Sequence, residues 1–396
     1  MLIIGNSQSE LCKSKYRGRL VTTEVLFIGL GITIAYFFVF GLSFTDGPLS
    51  WRLPIAAQVV PALAICILVF GVPESPRWLM KMGKREEAIS VLTYVINADP
   101  DDAYVAGEHH AMMSAVALEE ENAFQWRHIF KPDPLRTGYR VGLASLALFM
   151  NQWAGINVIV FYAPTILENS IGLERTVALA VAGCVQFAFV VGSLVPSLGL
   201  DRLGRRQPMM IGSVGMAISM LLVSVLMSFN GTDKQEHTSK ASIAFLILYM
   251  ICFGASLNAI PWCYSTEILP LRVRAQGTAL AVMTNWIWVS VIDDHIDILS
   301  HNTAYGEVYQ VFTIVMATPT MVERLAWKTY LIFMAMNVVF VPLIYFLFPE
   351  TSGLTLEDID YLFMDSRSIT AEGSVHSPDT PGLDEVEKGP SSEHVE

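Results

Sequence analysis

Residues 177–206 read VALAVAGCVQFAFVVGSLVPSLGLDRLGRR, and this stretch decides the class of fold. The part from 177 to 199 contains no charged side chain. A helix rises 1.5 Å per residue, so about 20 apolar residues cross a hydrocarbon core of about 30 Å. The stretch ends in a short turn that holds one acid and three arginines. It therefore predicts a transmembrane helix with a basic loop at one end.

The whole chain has the same character. Of its 396 residues, 53% are hydrophobic and 16% are charged, whereas soluble globular chains carry roughly 25% charged residues. The net charge of -12 argues against nucleic acid as a partner, because such binding needs a basic surface. The five cysteines form no CxxC pair, so we expect reduced thiols and neither a metal site nor another cofactor. Composition thus predicts that the lipid bilayer is the solvent.

Hydropathy predicts about eight transmembrane helices. Seven apolar segments meet the length requirement, and an eighth, which begins near Gly277, is interrupted by polar residues. The sequence therefore predicts an all-α polytopic membrane protein. The seven clear segments are 21–43, 54–72, 141–163, 177–199, 208–229, 241–264 and 326–348.

Lysine and arginine are concentrated in alternate loops, such as 202–206 and 272–274. Short cytosolic loops are enriched in these residues, so the pattern predicts that both termini are cytosolic. Asn230-Gly231-Thr232 is a glycosylation acceptor sequence, and it falls in a loop that this orientation places outside. We expect a multi-pass protein of the plasma membrane.

Two polar segments lie apart from the spans. Residues 73–140 contain short amphipathic patterns and are predicted to form a cytosolic helical linker domain. Residues 361–396 are rich in Ser, Pro, Gly and Glu, which predicts a disordered acidic tail. His109 and His110 are adjacent, so on a helix they point in different directions. With no third ligand nearby, a solvated surface is favoured there over a metal site.

Acidic and basic residues cluster at the predicted cytosolic ends of helices. Glu precedes Arg by seven residues twice, first as Glu10 and Arg17 and again as Glu267 and Arg274. This weak internal repeat is typical of a two-halved transporter. Ion pairs between such helix ends can hold the cytosolic side shut, and they must break when it opens inward. For any single arginine, plain positive-inside topology is the alternative.

Two further motifs make a family resemblance specific. Residues 73–79, PESPRWL, follow the second span, and residues 349–353, PETSG, follow the last. With the 201–206 turn, this pattern resembles the sugar porter (sugar/inositol transporter) family of the major facilitator superfamily over nearly all of 8–360. The resemblance implies a partial major facilitator fold, which works by alternating access around a mid-membrane substrate site. The predicted cytosolic gate and ion-pair network comprises Glu10, Arg17, Glu74, Arg77, Asp201, Arg205, Arg206, Glu267, Arg274 and Glu350.

The resemblance also implies a set of substrate residues. Residues 151–157, NQWAGIN, resemble the family's seventh-helix motif, although Asn151 replaces a more usual Gln. Amides suit a sugar because each both donates and accepts, as a hydroxyl does. The resemblance further implies an aromatic outer gate, a tenth-helix Trp on the sugar ring and an eleventh-helix Asn-Trp pair, whereas helix packing is the alternative for an isolated polar residue. The predicted substrate-binding residues are Gln152, Asn157, Asn151, Trp262, Asn285, Trp286, Phe161 and Tyr162.

The N-terminal region departs from the family pattern. Met1 corresponds to the cytosolic end of the family's fourth helix, so we expect 1–72 to be a remnant of the N-terminal bundle, ahead of the linker and a six-helix C-terminal bundle at 141–360. Eight spans do not build two six-helix bundles, so we do not expect this chain alone to carry out alternating access. Val25 replaces a frequent sugar-binding Gln, while Glu24 beside it is open between a proton or substrate contact and a snorkelling charge.

Residues 289–310, VSVIDDHIDILSHNTAYGEVYQ, are a second departure. Joining Trp288 to Val311 restores the family spacing, and the extra segment places acidic residues where a lipid-buried helix is expected. A Val-Ser start is what a translated donor splice site often gives. We therefore favour a retained intron as the origin, with a real extracellular insertion as the rival and a metal site as a remote third reading.

The sequence thus predicts transmembrane transport of a sugar or similar polyhydroxyl solute, with proton coupling as an open possibility. A non-transporting sugar sensor and a non-functional fragment of a transporter are the alternatives. No paired catalytic carboxylates, Ser-His arrangement or HExxH motif occurs, so an enzyme is not predicted.

Overall fold

The structure is a computed structural model. It describes residues 17–45, 47–96, 99, 102, 105–107, 109–110, 112–114, 129, 133–230, 232, 235–290, 325–354 and 356–364. Within these residues the chain is helical and contains no strand. Glu10, the segment 291–310 and the tail from 365 onward lie outside the described part, as do the side chains of Arg17 and Asp201.

Fourteen α-helices lie within the described residues. In chain order they are α1 (Arg17–Leu42), α2 (Leu49–Ala57), α3 (Val59–Val69), α4 (Pro76–Lys81), α5 (Arg85–Ile96), α6 (Thr137–Trp153), α7 (Ile156–Thr165), α8 (Arg175–Leu203), α9 (Arg206–Met227), α10 (Gln235–Phe253), α11 (Ile260–Ile268), α12 (Arg274–Ser290), α13 (Lys328–Leu347) and α14 (Leu356–Phe363).

Seven segments of the described chain are long and apolar enough to cross a membrane, and each coincides with one of the seven clear spans predicted from hydropathy. Two of them combine two helices with a π-helical turn, at Ile166–Ser170 after α7 and at Gly254–Asn258 before α11. The interrupted eighth segment is helix α12, with 17 residues from Arg274 to Ser290. The all-α polytopic prediction is confirmed.

The buried core lies among the helices from α6 to α13, where α6 packs against α12 and α11, and α9 packs against α10 and α13. Glycines allow close approach of α8 to its neighbours. A Cβ atom on Gly254 would lie 2.5 Å from the carbonyl oxygen of Phe189, and one on Gly29 of α1 would lie 2.9 Å from the Phe189 ring. Such small residues are typical of helix contacts in membranes, where backbones must come close.

The helices α2 and α3 contrast with this core, because none of their residues is buried within the described chain. Their side chains are almost all apolar, as a lipid-facing surface requires. Helix α1 is intermediate, since it packs along α8 on one side and exposes residues such as Phe27 and Ile34 on the other.

The short helix α14 is fixed to one end of the helical core. Its Ile359 and Phe363 are buried, and its Asp360 accepts a 2.6 Å hydrogen bond from Nη2 of Arg140 in α6. The Arg140 side chain is completely buried, with its guanidinium carbon 4.8 Å from the centre of the Phe363 ring. Buried arginine is costly unless paired, so this contact positions the end of the described chain.

Candidate functional site

A break between α6 and α7 forms one half of the candidate site. Gly155 has a φ of 100°, a left-handed conformation that favours glycine, and a Cβ there would lie 2.8 Å from the Phe333 ring. The carbonyl of Ala154 accepts hydrogen bonds from the Tyr249 hydroxyl at 2.9 Å and from Nδ2 of Asn337 at 3.0 Å. Partners from other helices therefore satisfy the backbone at this break, as the membrane interior requires.

The second break lies between α10 and α11. Pro261 has no N–H group, so it cannot donate to the carbonyl of Leu257, four residues earlier. Nδ2 of Asn151 donates to that carbonyl instead, at 2.6 Å. Two interrupted helices thus meet, and Asn151 connects them.

Four amide side chains form a continuous hydrogen-bonded series, which we name the amide chain: Asn157, Gln152, Asn285 and Asn151. Nδ2 of Asn157 donates to Oε1 of Gln152 at 2.6 Å, and Nε2 of Gln152 donates to Oδ1 of Asn285 at 2.7 Å. Nδ2 of Asn285 reaches the Leu148 carbonyl at 2.9 Å and Oδ1 of Asn151 at 3.4 Å. The structure therefore brings all four predicted amides together. A hydroxyl both donates and accepts, as an amide does.

The four predicted aromatic residues differ in their exposure to solvent. Trp262 and Tyr162 are half-buried, whereas Phe161 is 55% exposed and Trp286 is 59% exposed. Trp286 follows the fully buried Asn285, and consecutive residues on a helix point to different sides. The structure thus places Phe161 and Trp286 away from the buried amides.

An ion-pair cluster lies at the ends of α8, α11 and α13. Arg205 contacts Glu267 through two nitrogens, with Nη2 2.8 Å from Oε1 and Nε 3.2 Å from Oε2. The Thr351 hydroxyl donates to Oε2 of Glu267 at 2.7 Å, and Nη1 of Arg205 contacts Oγ of Ser352 at 3.2 Å. A paired fork of this kind fixes geometry more strongly than a single contact. We name Arg205, Glu267, Glu350, Thr351 and Ser352 the inner cluster.

Glu350 joins the inner cluster to helix α9. Its carboxylate accepts hydrogen bonds from the backbone N–H groups of Arg205 at 2.8 Å and Arg206 at 3.0 Å, where α9 begins. An acid at a helix N-terminus satisfies free N–H groups and complements the helix dipole. Gly204 has a φ of 77°, and a Cβ there would lie 2.8 Å from Oε2 of Glu350. This explains the glycine in the DRLGRR turn.

The remaining residues of the predicted ion-pair network have other positions. Arg274 donates to the Leu269 carbonyl at 3.3 Å, while Glu267, its partner in the sequence repeat, pairs with Arg205. Arg206 donates to the Tyr345 carbonyl, and its guanidinium lies over the Tyr345 ring. Glu74 is exposed and makes no ion pair with a described residue. Arg77 is half-buried in α4.

Two features were missed in the sequence. Gln186 of α8 is completely buried, and neither of its amide atoms has a hydrogen-bond partner within the described chain. A single amide inside an apolar span was a visible signal for it. The second is Tyr36 of α1, whose hydroxyl donates to the carbonyl of Val160 in α7. Pro164 cannot donate to that carbonyl, so the tyrosine takes the place of a backbone donor.

Among the described residues, which include His109 and His110, no group of three or more His, Cys, Asp or Glu side chains could hold a metal ion. The Asp and His side chains of 291–310 lie outside the described part.

Interrupted helices that meet around amide side chains, with a charged cluster at one end, are typical of secondary transporters. The family model "Sugar (and other) transporter" matches residues 3–363, and the chain belongs to this family. The major facilitator fold is shared with solved structures. The proton:xylose symporter XylE bound to 6-bromo-6-deoxy-D-glucose superposes with a TM-score of 0.71 at 21% identity, covering 91% of this chain and 70% of that one.

Curated relatives are transporters as well. The chain is 32% identical to the MFS-type transporter oryC of Aspergillus oryzae over 91% of its own length, and 29% identical to the sugar transporter STL1 of Saccharomyces cerevisiae over 90%. It is 29% identical to the quinate permease of Neurospora africana over 96%. The chain spans 64%, 58% and 67% of the lengths of these three relatives, respectively.

Proposed function

We propose that this chain forms the solute-binding part of a carrier for a sugar or a similar polyhydroxyl compound. The carrier moves this solute across the plasma membrane by alternating access. The amide chain carries the proposal. Three of its members are buried and Asn157 is half-buried. All four are uncharged and bonded to one another, so a solute hydroxyl can replace a neighbouring amide without leaving a charge in the membrane. The named substrates of the relatives, sugars and quinate, belong to the same polyhydroxyl class.

In this proposal the inner cluster is the cytosolic gate. The contacts of Arg205 and Glu350 hold together the inner ends of α9, α11 and α13. Opening toward the cytosol separates these ends, so the cluster favours the closed inner side in a two-state equilibrium. A solute shifts this equilibrium only through a difference in its affinity for the two states.

Proton coupling is the finer part of the proposal. The neighbour XylE is described as a proton symporter, and α1 carries a half-buried carboxylate, Glu24, inside its membrane-spanning stretch. A carboxylate in this setting is costly as an anion, which favours a proton-carrying role. If Glu24 carries the proton, the Glu24→Gln variant will still bind the solute. Its measured affinity for the solute will then no longer change with pH.

The test is solute binding by the purified chain in detergent micelles, with a panel of hexoses, pentoses, linear polyols and quinate. We expect saturable binding of at least one compound, and about tenfold weaker binding in Gln152→Ala, because each neutral hydrogen bond contributes about 0.5–1.5 kcal/mol. Leu198→Ala, at a position 72% exposed on α8, is the matched control and should bind as the parent does.

Two results contradict the proposal: no binding across the panel, or equal affinity in the parent and Gln152→Ala. Flux into proteoliposomes then distinguishes a carrier from a sensor, since a sensor binds the solute and does not move it.

A further inference from the structure

Asn258 is the last residue of the π-helical turn between α10 and α11. Its Nδ2 donates to Oγ of Ser193 at 3.2 Å. Its Oδ1 accepts no hydrogen bond from the part of the chain that the structure describes. The residue as a whole is 8% exposed, and its unpaired amide oxygen keeps part of that accessible surface. An unpaired acceptor that keeps accessible surface in a largely buried residue can be satisfied by water or by a ligand.

This free acceptor adjoins the amide chain. Asn151 donates through Nδ2 to the backbone carbonyl of Leu257 at 2.6 Å and to that of Asn258 at 3.4 Å. Trp262 follows Asn258 by four residues, a separation that places two helical residues on one face. Trp262 is half-buried, with part of its surface accessible. Asn258 therefore adjoins the amide chain through Asn151, and it precedes the half-buried Trp262 by one helical turn.

The hydrogen bonds of Asn151 explain why another amide is needed. The nitrogen of Asn151 bonds to the backbone of the π-helical turn, and its oxygen accepts from Asn285. These contacts position the turn and leave Asn151 with little capacity for a solute. Asn258 has the reverse arrangement, because its nitrogen is fixed to Ser193 while its oxygen is available.

We propose that Asn258 is a specificity-determining residue that contacts the solute, and that its amide oxygen accepts a hydrogen bond from one hydroxyl of the bound compound. Asn151 is then a positioning residue that holds the turn. This inference rests on the proposed function, since it assigns a further contact in the same site. An acceptor with a fixed orientation selects for a hydroxyl at one position of the solute and against an analogue that lacks it.

The experiment measures binding by the full chain in detergent micelles, using the compound of the panel that binds the parent best and its single-deoxy analogues. We expect Asn258→Ala to weaken binding of the parent compound by about tenfold. For one deoxy analogue the substitution should have no further effect, because the lost hydroxyl and the lost oxygen belong to one hydrogen bond. Every other analogue should show the full loss.

Two controls separate contact from folding. Ser193→Ala removes the partner of Nδ2 and leaves the Asn258 oxygen, so it should weaken binding less than twofold. Asn258→Ser keeps a polar side chain but loses the reach of the amide oxygen, so it should weaken binding as much as Asn258→Ala does. It replaces the alanine variant as the test if that variant folds poorly. Thermal melting of each variant identifies those that are folded.

The outcomes separate the two proposals. If Gln152→Ala loses binding while Asn258→Ala and Asn258→Ser bind all analogues as the parent does, Asn258 is not a contact residue and the proposed function stands. If the variants lose affinity equally for every deoxy analogue, the effect is structural and the inference is overturned. If the parent binds no compound of the panel, the proposed function fails and the inference fails with it.

Discussion

The amide chain and the inner cluster are both polar networks that connect separate helices, yet they are built from different groups. The amide chain contains only neutral side chains, each of which can donate and accept. The inner cluster contains a fully charged fork between Arg205 and Glu267 and a carboxylate at a helix N-terminus. A neutral amide can exchange one hydrogen-bond partner for another at little cost. Removing one member of a buried charged pair is costly, because the other charge is left without a partner.

Under the proposed function, this difference suits two separate tasks in one bundle. A network that must release its internal bonds to a solute benefits from modest bond energies, since interhelical hydrogen bonds in membranes contribute about 0.6 kcal/mol on average. A network that must keep the inner side closed until the solute is bound benefits from bonds that are expensive to break singly. We therefore expect substitutions in the inner cluster to affect stability most.

The largest effect is expected for Arg205→Met. Arg205 is only 6% exposed, so its loss leaves Glu267, whose side chain is 15% exposed, as a mostly buried charge without its main partner. Breaking a buried pair on one side typically costs about 3–5 kcal/mol, and thermal unfolding in detergent should show a large decrease in the midpoint temperature. Adding Glu267→Gln to Arg205→Met should recover part of the loss.

The matched control is Lys84→Ala, which removes an exposed ion pair with Glu87 on α5. It should leave the unfolding midpoint almost unchanged, because exposed pairs contribute little. Similar shifts for Arg205→Met and Lys84→Ala would remove the distinction between the inner cluster and an ordinary surface pair.

An intermediate effect is expected for Asn285→Leu, which keeps the branched shape of the side chain and removes the amide. The substitution deprives Gln152 of its acceptor and the Leu148 carbonyl of a donor. The weaker bond to Asn151 is lost as well. With three interhelical bonds lost, the free energy of unfolding should fall by about 1–2 kcal/mol. The measurement is the same unfolding experiment, and a loss as large as that of Arg205→Met would show that the neutral network is as rigid as the charged one.

The smallest effect is expected for Tyr36→Phe, which removes the bond from α1 to the Val160 carbonyl of α7. We expect a loss of about 0.6 kcal/mol. Pro164→Ala supplies a backbone donor for the same carbonyl, so Tyr36→Phe should cost less in that background. Additive losses in this double-mutant cycle would mean that the tyrosine and the proline act independently.

The sequence predicted the seven clear spans and the approximate position of the amide chain, because hydrophobic length and the NQWAGIN motif are local patterns. It did not predict the partner of Glu267. A repeated separation of seven residues suggests Arg274, yet the carboxylate meets Arg205 from another helix. Such partners depend on how helices pack, which spacing within one segment does not encode.

The direction of individual side chains was the other feature that the sequence motifs did not predict. Asn285 and Trp286 were predicted together from one motif, but the helix buries the first and exposes the second. The Asn258 acceptor was also not foreseen, because its significance depends on the π-helical turn and on the Asn151 bond that holds it. Sequence motifs thus located the region of the site, and tertiary contacts decided which atoms are available.

The two proline-freed carbonyls, at Val160 and Leu257, link substitutions that are far apart in the chain. Each proline inside an interrupted helix removes a backbone donor, and a side chain from another helix supplies a replacement, Tyr36 in one case and Asn151 in the other. Replacing only the proline, or only the side chain that donates, changes the number of hydrogen-bond donors to a carbonyl inside the membrane. Across related transporters, positions 164 and 36, and likewise 261 and 151, should therefore vary as coupled pairs.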